Sequence, residues 1–415
     1  MTLQNYNRTR LACYTAYFTM SSVFSLPPLL FLTLREMYGI SYTLLGTLVL
    51  TNFCTQLAID LIFTFFSKHF NIKKVVRTMP LITSLGLAVY ALIPTLFPDL
   101  AYLGLITGTV IFSLSAGLSE VLLSPMIAAM PSDNPQKDMS MLHSLYAFGF
   151  FTVVAISTLY LKIFGAHNWM YLTLFFAVLP VISAVMFAIS PMPEMDNDAG
   201  KAGADGAKRR TLGLAMFVGC IFFGSCSENV MTNWISGYIE VALGIDKSVG
   251  DILGLAIFAV LLGLTRTAYA RFGKNIGKML LFGMTGAAVC YLVAGLAPGV
   301  IPAFIACILT GVCTAMLWPG TLIMMEENIP DASVAAFALM AAGGDFGASV
   351  APQLMGIVID NVAASDLAAQ LSTQLSISPE QIGLKAGMLL TSVFPILGAV
   401  VVILIGRYFK KVKAK

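Results

Sequence analysis

Apolar residues in this chain run together in stretches of about 20, the length a helix needs to cross roughly 30 Å of hydrocarbon. Such windows fall near 11–34, 42–66, 75–96, 101–130, 139–163, 168–190, 211–242, 248–270, 277–297, 300–325, 332–359 and 383–406. The pattern predicts twelve membrane-spanning helices, spans 1 to 12. Two polar stretches interrupt it. Residues 191–210 are rich in Asp, Gly, Ala and Lys, show no hydrophobic period, and divide the spans six and six. Residues 361–385 form a longer polar excursion between spans 11 and 12, with room for a short surface helix. The expected fold is therefore an all-α membrane protein. It has two six-helix bundles, residues 1–190 and 211–415, joined by the linker 191–210.

Composition supports a membrane protein. The chain is 58% hydrophobic and 11% charged, with a mean hydropathy of +0.86, whereas soluble domains carry about 25% charged residues. Residues 1–10 are polar and no small-residue cleavage site follows span 1, so that span is not read as a signal peptide. The net charge of +3 says little, because the distribution of Lys and Arg sets orientation. With both termini cytoplasmic, every Lys and Arg of the 24 lies inside except Arg35, Lys162, Lys247 and Lys385. That assignment gives an integral inner (plasma) membrane protein, and the regular alternation supports the span count. The seven cysteines all lie in apolar segments without a CxxC or Cys/His cluster. They read as core residues, with neither a disulfide framework nor a metal site. No cofactor and no nucleic-acid partner are expected, and no nucleotide-binding loop points to ATP.

The expensive residues are the ionisable ones within the spans, since a charge at the bilayer centre costs about 2.5–3.5 kcal/mol on insertion scales. Leaving aside the first and last few residues of each window, span 2 carries Asp60, span 4 Glu120, span 5 His143, span 7 Glu228, span 8 Arg266 towards its inner end, and span 11 Asp345; spans 3, 6, 9 and 12 carry none. Several belong to stripes. Asn52, Gln56 and Asp60 follow i, i+4, i+8 on span 2, and Ser113, Gly117, Glu120 and Ser124 share a face of span 4. Span 7 holds Ser225, Glu228, Asn229, Thr232 and Asn233, then Trp234. Span 1 offers Tyr14 and Tyr17, and Trp318 stands before Pro319-Gly320 at an expected break in span 10. Carboxylates and amides that bond paired hydroxyls, beside flat aromatic faces, suit a sugar ring.

Packing alternatives stand beside these readings. Serines and glycines in membrane helices commonly serve as helix contacts. Asn52 and Gln56 suit either a cavity wall or interhelical hydrogen bonding. Asp60 suits proton coupling or a pair with a basic group such as Arg266. Trp234 and Trp318 suit either binding or packing. Glu120 and Glu228 each suit a site or an internal ion pair, and Arg266, the intramembrane cation, cannot serve both.

The motifs Gly117-Leu-Ser-Glu120 with Pro125, His143-Ser-Leu-Tyr146-Ala-Phe-Gly149, Met316-Leu-Trp-Pro-Gly-Thr, Gly343-Gly-Asp-Phe-Gly347 and Pro352-Gln-Leu-Met-Gly356 run through both halves. Together they resemble the fucose permease group of the major facilitator superfamily, proton-coupled symporters for fucose, galactose and glucose. Two short basic loops at equivalent points of the halves, 67–74 and 270–275, add a weak internal repeat. The resemblance implies that the third helix of each triplet lies outside and the others line a central cavity, which fits the distribution of ionisable residues. It also implies that Glu120 is a proton-coupled, substrate-contacting carboxylate. The chain departs from some members in lacking any acid in span 1, and in carrying Lys68 where the basic loop usually has Asp.

The expectation is a monomeric secondary transporter in the lipid bilayer that takes up a monosaccharide or related polyol with a proton. Its substrate contacts would be Tyr14, Asn52, Gln56, Glu120, His143, Tyr146, Glu228, Asn229, Asn233, Trp234 and Trp318. Glu120, Glu228 and Asp60 would carry the proton. The alternative is an exporter of amphipathic small molecules or lipids on the same fold, for which the 28 Phe and 22 Met would line a wide apolar cavity.

Overall fold

The structure is a computed structural model that describes residues 6–66, 69–131, 135–193, 207–273, 275–329 and 334–413. Among the described residues every regular element is a helix. In hydrocarbon each backbone N–H and C=O must be satisfied within the chain, and a helix does this segment by segment. The first six helices are α1 (Asn7–Tyr38), α2 (Tyr42–Phe66), α3 (Ile72–Leu96), α4 (Ala101–Ala129), α5 (Pro135–Phe164) and α6 (Trp169–Ala188). After the linker come α7 (Ala207–Gly237), α8 (Ile257–Phe272), α9 (Ile276–Leu296), α10 (Val300–Thr314), α11 (Leu317–Asn328) and α12 (Val334–Ala363). The chain closes with α13 (Asp366–Leu375), α14 (Pro379–Thr391) and α15 (Val393–Lys413).

Eleven helical stretches among the described residues are long and apolar enough to cross a membrane, and the described apolar part of α5, Phe148–Phe164, is shorter. The twelve expected spans are all accounted for, with span 10 divided into α10 and α11. Span 12 runs through α14 and α15. The short surface helix allowed for between spans 11 and 12 is α13, capped by Ser365.

The ends of the helices follow from local chemistry. α1 stops at Gly39, which has φ +67° and donates its N–H to Arg35 O at 2.9 Å; the left-handed backbone there favours glycine. The two basic loops behave alike. Asn71 caps α3 by accepting from Lys74 N at 3.1 Å, and Asn275 caps α9 by accepting from Lys278 N at 3.0 Å. The weak repeat seen in the sequence is thus a repeated Asn cap three residues before a Lys, each satisfying an otherwise orphaned helix N–H.

The chain resolves into two compact units: Met1–Ile40 with Thr51–Asp198, and Ser41–Leu50 with Ala199–Lys415. In the first, α3 packs tightly on α4. A Cβ at Gly108 would lie 2.6 Å from Tyr90 N, so the backbones approach only because the glycine is there. In the second, α12 lies along α7, where a Cβ at Gly347 would meet Phe222 O at 2.4 Å. Met, Leu, Ile and Phe side chains fill the interior of each unit.

The start of α2 packs within the second unit. Asp360, near the end of α12, accepts from Tyr42 N at 3.2 Å and Thr43 N at 2.6 Å. This places a carboxylate on the positive end of α2. Tyr42 donates its hydroxyl to Glu380 Oε1 at 2.5 Å, and its ring lies 5.6 Å from that of Trp234.

Candidate functional site

In the first unit the polar stripes of spans 2 and 4 face each other. Gly117 makes this possible, because a Cβ there would sit 3.2 Å from Gln56 Cα. One turn further along each helix, Asp60 and Glu120 continue the two facing stripes, so the charge of one acts on the other. Asp60 is buried and Glu120 is partly exposed. Towards the other end of the stripe, Asn52 Oδ1 accepts from Gln56 Nε2 at 3.1 Å and from Ser113 Oγ at 2.6 Å. Asn52 and Gln56 are both buried, so in this structure their polar groups join α2 to α4.

Aromatic rings from α1, α2 and α5 gather beside these residues. Tyr146 meets Tyr17 edge-on at 6.4 Å and Phe24 at 5.7 Å, and Phe24 meets Phe53 at 5.9 Å. Tyr14 and Tyr146 are half-buried against the same core. His143 belongs to α5, but its side chain lies outside the described residues.

In the second unit Glu228 has a defined partner. Arg266 Nη2 donates to Glu228 Oε1 at 3.1 Å and Oε2 at 3.2 Å, while Arg266 Nε donates to Ala315 O at 2.8 Å. Arg266, weighed above as a counter-charge for Asp60, is therefore engaged with Glu228. The acceptor at Ala315 has a sequence cause. Pro319 has no N–H to give the carbonyl four residues back, and its ring clashes with that carbonyl. The helix opens between Thr314 and Leu317, and the freed Ala315 carbonyl takes Arg266 instead. Trp318 begins the next turn, with its ring against the backbone of Gly344 on α12.

The remaining predicted residues of α7 lie on two sides of the helix. Asn229 is partly exposed and turns its amide N–H groups onto Ser225, at 3.1 Å to O and 3.2 Å to Oγ. Asn233 is buried and donates to Asn229 O at 2.8 Å. Trp234 is only 1% exposed and donates Nε1 to Pro352 O at 3.2 Å, so in this structure its indole packs α7 against α12.

The polar census of the sequence passed over one cluster. Asp251, 1% exposed, accepts from Ser236 Oγ and lies 3.7 Å from Lys247 Nζ. Lys247 also reaches Ser236 Oγ at 3.1 Å and Glu240 Oε2 at 3.7 Å. Both flanking segments, Tyr238–Ala242 and Gly250–Ala256, are π-helical, a wider winding common at functional sites. The i, i+4 spacing of Lys247 and Asp251 at the start of a span was the available signal.

Polar residues thus gather on membrane helices in each of the two units. The sequence from 12 to 352 matches the Major Facilitator Superfamily. The chain belongs to that family. It is thus a transporter of this superfamily and not an enzyme.

Solved structures agree in fold. A bacterial homologue of the human lysosomal transporter Spinster, in an inward-facing and occupied conformation, superposes with a TM-score of 0.74 at 14% identity, over 97% of this chain and 97% of that one. A D-xylose-proton symporter gives 0.73 at 15% identity, over 94% and 97%. The E. coli fucose:proton symporter gives 0.56 at 13% identity, over 95% and 99%. At these identities the likeness establishes the fold alone. No curated protein matches the sequence.

Proposed function

We propose that this facilitator takes up a monosaccharide or related polyol together with a proton by alternating access, as a monomer in the plasma membrane with both termini cytoplasmic. The halves that alternate would be residues 1–190 and 211–415. The observation that carries the reading is that the facing stripes of α2 and α4, joined where Gly117 packs on Gln56, carry Asp60 and Glu120 one turn further along within one unit. Two carboxylates in a low-dielectric space cannot both ionise cheaply, so such a pair holds and releases a proton as its access to water changes. Neutralising the pair on one side of the membrane lowers the cost of rearrangement, and opening to the other side lets the proton leave.

Sugar recognition draws on the other groups. Glu228 and Asn229 bring acceptor oxygens suited to adjacent hydroxyls, and the half-buried Tyr14, Tyr146 and Trp318 bring flat faces. The motifs that resemble those of fucose permeases support the same reading. Counterflow with labelled hexoses in proteoliposomes tests the substrate class. Saturable exchange supports sugar transport, whereas dye extrusion without hexose exchange overturns it in favour of an exporter.

A further inference from the structure

The ion pair of the second unit is held in an unusual way. Arg266 does not simply meet Glu228. One guanidinium nitrogen, Nη2, reaches both carboxylate oxygens, and the Nε–H holds the carbonyl that Pro319 releases from its own helix. Three spans therefore converge on one side chain: α7 through Glu228, α8 through Arg266 itself, and the α10–α11 break through Ala315. The residues on either side of these contacts, Asn229 and Trp318, are among the partly exposed groups of the unit. The arginine is 39% exposed and Glu228 20%, so the pair borders open space rather than solid core.

We propose that Arg266 is the positioning residue of the substrate site, holding Glu228 as a fixed, charge-paired acceptor for substrate hydroxyls and holding the span-10 break so that Trp318 stays in place. This rests on the reading of the chain as a proton-coupled sugar carrier and divides its labour. Protons travel on Asp60 and Glu120, and Glu228 takes no part in carrying them. The chemistry follows from the arginine. Its planar guanidinium fork fixes direction as well as charge. A protonated Glu228 would leave that charge uncompensated beside the bilayer interior, which is costly.

Elsewhere around α7, Asp345 of α12 is buried, Tyr291 of α9 donates to Ser227 O at 2.7 Å, and Asp251 is bonded to Ser236. Other titratable groups on the elements packed around α7 include Cys307 of α10, Glu327 of α11, Glu380 and Lys385 of α14 and Arg407 of α15.

The test uses the full chain in detergent and in proteoliposomes, with wild type, Arg266→Gln, Arg266→Lys, Glu228→Gln and the Arg266→Gln/Glu228→Gln pair. Infrared difference spectra at neutral pH read the protonated carboxyl directly and need no substrate. A new protonated-carboxyl band is expected in Arg266→Gln, absent from Arg266→Lys and absent from the double variant. Arg266→Lys keeps the charge but loses the fork, so it is expected to raise hydrogen exchange across residues 315–320. In uptake, Arg266→Gln is expected to gain a pH-dependent half-saturating concentration, weakened about tenfold where Glu228 is protonated, with maximal rate little changed. The double variant loses that added pH dependence.

No new band in a monodisperse Arg266→Gln protein overturns the proposal, as does a band that survives Glu228→Gln. Should Arg266→Gln fail to fold, a protonated-carboxyl band in Arg266→Lys, or unchanged exchange at 315–320 there, overturns it equally. Failure of wild type to exchange any hexose would instead sink the transport reading, while the infrared result still decides the role of Arg266.

Discussion

Replacing Asp360 by Ala tests how the start of α2 is held in the second unit. The first N–H groups of a helix have no partner in the helix itself, and here two of them, Tyr42 N and Thr43 N, are satisfied by one carboxylate at 3.2 and 2.6 Å. Hydrogen bonds to a charged group contribute about 1.5–3 kcal/mol where buried, and loss of a capping side chain costs about 0.5–2 kcal/mol. Asp360 is only partly buried and water can replace it in part, so about 1–3 kcal/mol is expected for Asp360→Ala. Asp360→Asn keeps one acceptor and loses the charge, and should fall near half of that.

The variants should show a graded fall in thermal midpoint in detergent, Ala below Asn below wild type. Hydrogen exchange should rise at the amides of Tyr42 and Thr43. Tyr42→Phe, which removes only the hydroxyl donated to Glu380, should leave those two amides protected. An Asp360→Ala protein with an unchanged midpoint and unchanged exchange at both amides would refute the capping argument.

Other substitutions probe separate contacts. Asn52→Ala removes the acceptor shared by Gln56 and Ser113; Ser113 can turn to Thr109 O, but the Gln56 amide stays buried, and a loss of about 1–3 kcal/mol is expected from chemical unfolding in mild detergent. Gly347→Ala should force α12 away from Phe222 O, costing about 1–3 kcal/mol by overpacking, and an unchanged melting curve would contradict the close approach. Asp251→Ala should leave Lys247 and Ser236 without their buried acceptor, with increased hydrogen exchange through Tyr238–Ala242 as the readout.

Much of the architecture was legible because the membrane enforces a simple code. Apolar runs of about 20 residues fold as helices whatever else they do, so α2 falls at Tyr42–Phe66 where the window placed it. The partner of Arg266 was not legible. Asp60, Glu120 and Glu228 are all acids within spans, and nothing in the spacing says which one a neighbouring helix brings to the guanidinium. The break in span 10 was signalled by Pro319, but its chemical consequence lies four residues back, at the carbonyl of Ala315. Asp251 was missed because it stands at the edge of an apolar window, where a charge looks like the beginning of a span. The π-helical turns around it have no compositional mark. Trp234, an aromatic beside a polar stripe, looks from sequence as fit for a ligand as for a core. Its position against Pro352 and Tyr42 is a tertiary fact.

The central claim is that sugar entry carries a proton on the Asp60–Glu120 pair. Proteoliposomes loaded with a pH-sensitive dye, given an external monosaccharide identified by counterflow, test it directly. The account predicts saturable lumenal acidification with wild type, and with Glu120→Gln no acidification but retained sugar counterflow. Equal acidification by wild type and Glu120→Gln, or sugar uptake by wild type with no proton movement, would contradict it.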